Sequence, residues 1–74
     1  EIRIRFGVFQ GAEVGLAVFN IQGNKVATLE SSNLQADKYE VVWQPDSGIP
    51  NGFYFIALTI NDLQVHYLKV SKID

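Results

Sequence analysis

The stretch Ile49-Pro50-Asn51-Gly52-Phe53-Tyr54-Phe55-Ile56-Ala57-Leu58-Thr59-Ile60 limits what this chain can fold into more than any other. Its two alternating sets, Tyr54/Ile56/Leu58/Ile60 and Phe53/Phe55/Ala57, are both apolar and rich in aromatic and β-branched types, as in a strand covered on both sides. Pro50 has no amide hydrogen to give a sheet ladder, and Gly52 accepts positive φ, so pairing is expected to begin only after Gly52. This is the expected central strand, and the other segments must be arranged to cover it.

Those segments read as strands too. Ile2, Ile4 and Phe6 alternate with Arg3 and Arg5, the period of two that puts one face in the core and one in water. After the break at Gln10-Gly11, Val14, Leu16 and Val18 alternate with Gly15 and Ala17 between Glu13 and Asn20, with Phe19 on the second face. Ile21-Gln22-Gly23-Asn24 has hairpin-loop chemistry, so Lys25 to Leu29 is expected to return antiparallel. Glu30 to Lys38 is polar and reads as a crossing loop with room for a short strand, Leu34 plugging the edge of the core. Tyr39, Val41 and Trp43 then share a face, and Pro45-Asp46-Ser47-Gly48 ends that strand. Asn61-Asp62 reads as a tight turn into a last strand over Leu63 to Val70, with faces Leu63/Val65/Tyr67 and Gln64/His66/Leu68/Val70. Trp43, Tyr39 and Val41, with Tyr54, Ile56 and Leu58 of the central strand, form the expected core.

Six to seven short strands, turn signals about every 8 to 12 residues and no sustained helical period predict an all-β fold, an antiparallel immunoglobulin-like β-sandwich, with a small barrel as the alternative. Length allows one domain over residues 1–74, because a chain this short buries only roughly 60% of its unfolded surface. There is no cysteine to add a disulfide, so the aromatic and aliphatic side chains must supply the stability. A net charge of −2, with no cluster of one sign, argues against nucleic acid as a partner. No apolar run approaches the roughly 20 residues that span a bilayer, so a soluble domain is expected, with any export signal upstream of residue 1.

Chemistry-bearing patterns are sparse. His66 is the only histidine, and with no cysteine or fixed acidic neighbour it is a poor metal or triad candidate. Asp37, Asp46 and Asp62 suit turns, and no D-x-D-x-D-G spacing supports calcium at Asp46. The serines lack a G-x-S-x-G context and the glycines form no phosphate-binding loop, so neither an enzyme nor a cofactor is expected. Phe53, Phe55 and Tyr67 could stack on a saccharide, although filling a small core is the more ordinary use of such residues. Lys69 and Lys72 near the C-terminus either guard a sheet edge or present an exposed basic signal to a partner.

The order of motifs adds a resemblance that covers nearly the whole chain. Val18-Phe19-Asn20-Ile21-Gln22-Gly23-Asn24-Lys25-Val26-Ala27-Thr28-Leu29, then Tyr39-Glu40-Val41-Val42-Trp43, then Asn51-Gly52-Phe53-Tyr54-Phe55-Ile56-Ala57-Leu58 and a lysine-bearing end strand together resemble the type A C-terminal sorting domain of the type IX secretion system. The layout is also similar to the Ig-like domain of flagellar hook-capping proteins, so it speaks to fold more than to role. Asp37 stands where the sorting domains usually have glycine, and Asn51 where they have serine. The resemblance implies a non-enzymatic module fused behind an N-terminal cargo of a Bacteroidota-type bacterium. Such a module passes through the periplasm, is read by the outer-membrane translocon, and brings its cargo to the cell surface or the medium. In many members a cell-surface sortase then removes it. The resemblance carries the recognition signal to Gly52, Tyr54, Lys69 and Lys72. The alternatives are an Ig-like building block of an extracellular filament or surface assembly, joined by self-assembly through strand pairing, and an accessory carbohydrate-binding domain.

Overall fold

The computed structural model describes residues 1–45 and 47–73. Among the described residues six strands follow one another: β1 (Ile2–Val8), β2 (Ala12–Asn20), β3 (Lys25–Leu34), β4 (Asp37–Trp43), β5 (Gly52–Ile60) and β6 (Leu63–Lys72). Every pairing is antiparallel. One sheet has the order β3-β2-β5-β6 and the other consists of β1 and β4, so β5 lies between two partners, as its doubly apolar pattern predicts. The two sheets make the expected immunoglobulin-like antiparallel sandwich, and the barrel alternative falls away.

The core lies where alternating side chains of the two sheets meet. Val14, Leu16 and Val18 of β2 and Tyr54, Ile56 and Leu58 of β5 pack against Ile4, Val8 and Trp43 from the opposite sheet. Tyr39 and Val41 are half-buried at its border, and Leu34 joins them there. Trp43 is buried and meets Tyr54 edge-on at 5.6 Å between ring centroids. Tyr54 and Tyr39 each donate their hydroxyl to the carbonyl four residues upstream, Pro50 and Gln35, at 2.6 Å. Each bond pins the entry of a strand to the loop before it, as a tyrosine corner does.

The turns follow local chemistry. The Asn20 side-chain oxygen accepts from the amides of Gln22 and Asn24, while Gly23 takes φ 87°. Asn61 and Asp62 both have positive φ, 51° and 67°, which fits the mirror-image turn that matches strand twist in two-residue hairpins. Asn61 also donates its amide to the Glu13 carbonyl at 2.8 Å and accepts the Glu13 amide on its side chain at 3.0 Å, joining this turn to β2.

Two expectations are corrected. The polar run after Leu29 is mostly strand and not crossing loop: β3 continues to Leu34, paired with β2 as far as Ala12, and only Gln35 and Ala36 separate it from β4. As an edge strand it can keep Ser31, Ser32 and Asn33 in water while its main chain completes the ladder. In β6 the expected faces fail because Leu58 pairs with His66 and Thr59 with Gln64, leaving Val65 as an extra residue in a bulge. The bulge shifts the alternation, so Leu63 shares the inward face with His66, Leu68 and Val70, and Tyr67 faces outward with Lys69.

Candidate recognition surface at the final strand

Three of the four expected signal residues belong to one structural joint. Gly52 opens β5 at φ 149°, a backbone region that is strained for any residue with a side chain, and it pairs with Lys72, so pairing begins at Gly52 itself and not, as expected, only after it. Its ladder partner Lys72 turns inward. Its ammonium donates to the Ile49 carbonyl at 2.8 Å and to the Asn51 side-chain oxygen at 3.3 Å. Tyr54 reaches the same loop through Pro50. Lys72 is only 8% exposed, which corrects the expectation of a solvent-facing lysine: it ties the β4–β5 loop to the end of β6. A turn position in this loop was also expected at Asp46, which lies outside the described residues.

Lys69 is the signal residue that remains open to a partner. It faces outward, and its ammonium lies 4.3 Å from the centroid of the Phe53 ring, the diagonal neighbour across the β5–β6 ladder. Phe55 stacks on Tyr67 at 5.1 Å and 16°, so the outward face of the hairpin carries a continuous strip of Phe53, Lys69, Phe55 and Tyr67. Sequence reasoning named each of these side chains but not their union. The signal was available only through the register, which makes Phe53 diagonal to Lys69 and Phe55 diagonal to Tyr67.

The same element is uncovered on its other side. From Leu63 to Lys69 every residue of β6 is exposed, including the inward-facing Leu63, His66 and Leu68. Farther along the outward face, the small residues Gly15, Ala17 and Ala57 floor a groove of about 300 Å³ beside Phe19, with Glu13, Glu30 and Asp62 among its walls. Among the described residues, no three histidine or carboxylate side chains are placed together to hold a metal ion.

Two polar clusters complete the surface. On the outside of the smaller sheet, Glu40 accepts from Arg5 at 2.8 Å and lies 3.8 Å from Arg3. The Arg5 hydrogen bond holds the Glu40 carboxyl below the usual carboxylate range; partial desolvation opposes this, and the charges of both arginines add to it. At the opposite edge, Ser32 donates to Glu30 at 2.7 Å. This hydroxyl has a carboxylate beside it, but His66 is on β6, at the far edge of the same sheet, too remote to serve as its base. The chain matches no protein-family model, no curated protein and no solved structure.

Proposed function

We propose that the chain is a non-enzymatic sorting domain, a folded address carried by a cargo protein and read by the type IX translocon on its way to the cell surface. The observation that carries this reading is the state of the last strand. β6 is an edge strand, exposed on both faces from Leu63 to Lys69, with Lys69 held on an aromatic strip. A partner reading it gains main-chain hydrogen bonds, apolar contact and a fixed positive charge together. The joint formed by Gly52, Tyr54 and Lys72 acts behind this surface by fixing where the strand ends.

The test is export of a fluorescent reporter carrying a Sec signal and this domain, in a type IX-competent bacterium and in its translocon-deficient mutant. Surface display or release in the competent strain alone is the expected result, with Lys69→Glu reducing it while the domain stays folded. Periplasmic retention in both strains, with the domain folded, would overturn the proposal.

A second reading, a building block of an extracellular assembly, is favoured by the exposed Phe53, Leu63, Val65 and Tyr67 gathered on one hairpin. Sedimentation at high concentration separates the two, because a domain that stays monomeric removes the assembly. The same strip motivates a carbohydrate-binding role, which titration with polysaccharides would exclude if no binding is seen.

A further inference from the structure

The smaller sheet covers only part of the larger one. β4 lies on the β3 side, and β1 lies over the middle of the sandwich, where Ile4 and Phe6 face Leu16, Ile56 and Leu58 across a cleft of about 110 Å³. The cleft continues outward to His66 and Leu68 of β6. Among the described residues no strand pairs with the second edge of β1. Neighbouring strands lie about 4.8 Å apart, so a strand added to that edge moves outward by one strand spacing, just as β6 does from β5. It would therefore lie above the inward side chains of β6, which are the ones left bare: Leu63 is 70% exposed and Leu68 39%.

We infer that the free edge of β1 and the inward face of β6 form an acceptor slot for one extended segment of a partner protein, with apolar residues at alternate positions and acidic residues between them. The apolar set follows from Leu63 and Leu68 beneath it. The acidic set follows from the rim, where Arg3, Arg5 and His66 line the cleft; the carboxylates that reach the arginines, Glu1 and Glu40, lie outside it and leave the Arg3 and Arg5 side chains 51% and 76% exposed. The strand already paired with β1 uses the same chemistry on the other side: β4 turns Tyr39, Val41 and Trp43 inward and sets Glu40 opposite Arg5. A second copy of this chain offering its own β1 would bring arginine toward arginine, so the charge pattern disfavours that occupant. The inference goes beyond the sorting proposal, and because it is read with purified protein its failure is separate from a failure of export.

The probe is a fluorescently labelled seven-residue peptide alternating valine with glutamate, about the length of β1. One control replaces its glutamates by lysine, and another gathers the same valines and glutamates into two blocks. Anisotropy should show binding of the alternating acidic peptide at least tenfold tighter than of either control, and amide hydrogen exchange should slow along Ile2–Val8. Leu68→Glu, at a position already open to solvent, should weaken binding at least tenfold with an unchanged melt. Equal binding of the block peptide would overturn the slot, as would protection appearing on β3 instead of β1. Protection of β1 that rises with protein concentration, without peptide, would assign the edge to a second copy and overturn the proposed occupant.

Discussion

Replacing Lys72 by alanine should destabilise the domain by about 2 kcal/mol, whereas the same change at Lys69 should cost much less. Among the described residues, the Lys72 ammonium donates a short hydrogen bond, 2.8 Å to the Ile49 carbonyl, and a longer one to Asn51. Hydrogen bonds to a charged group contribute about 1.5 to 3 kcal/mol, and burial of the methylene stem adds to this. The desolvation relieved when a buried charge is removed keeps the net loss toward the lower end of that range. In a domain of this size each kcal/mol moves the melting temperature by about 4 to 8 °C, so the expected fall is about 8 to 16 °C. Lys69 makes an exposed contact with the Phe53 ring, worth about 0.5 to 1 kcal/mol, which predicts a drop of a few degrees. Circular-dichroism melts of both variants, with urea titrations to confirm a common slope, measure the contrast. Lys72→Met helps to separate the contributions, since it keeps most of the stem but not the bonds. A Lys72→Ala protein that melts like its parent, or a Lys69→Ala protein that is equally damaged, would refute the assignment of Lys72 to the loop joint.

Trp43→Ala should cost about 3 to 5 kcal/mol, comparable with the whole stability of a domain this small, and the expected outcome is loss of amide dispersion in NMR spectra. A dispersed spectrum with a cooperative melt near the parent's would contradict the central place of Trp43 in the core. Tyr54→Phe removes only the hydroxyl donated to Pro50 and should lower stability by about 1 kcal/mol in urea unfolding, with the fold kept. Glu40 is held below its ordinary range in the folded state, so its contribution is complete at neutral pH and is lost as pH falls through that depressed value. Acid titrations should therefore show a shallower acid limb for Glu40→Gln than for the parent, and the difference should shrink in high salt. A difference that grew with salt would count against the ion pair.

The strands that bury one face were legible because burial writes a period of two into the residues: β1, β2, β4 and β5 all fall where their alternation predicts. Trp43, Tyr54, Ile56 and Leu58 were readable as core for the same reason. The far half of β3 was not, because an edge strand can carry Ser31, Ser32 and Asn33 without burying them, and its pairing is made by main-chain groups common to all residues. The faces of β6 were misread because alternation assumes an unbroken ladder, and the bulge at Val65 depends on how Leu58 and Thr59 meet the returning strand. Lys72 was hidden for a longer-range reason: its acceptors lie 23 and 21 residues earlier in the chain, so local pattern shows a lysine near a terminus and nothing of its burial.

The bonds between Asn61 and Glu13 have a consequence for alignment. If β2 slid along β5 by two residues, every side chain would keep its face, so hydrophobic pattern alone separates the two alignments poorly. The pair of hydrogen bonds between Asn61 and the Glu13 main chain fits one alignment only. The contact of Gly15 with Thr59 is a second marker, since a Cβ there would come within 2.6 Å of the threonine hydroxyl. A turn whose evident task is to reverse the chain thus also serves as a ruler, measuring off where a strand more than 40 residues away in sequence must begin.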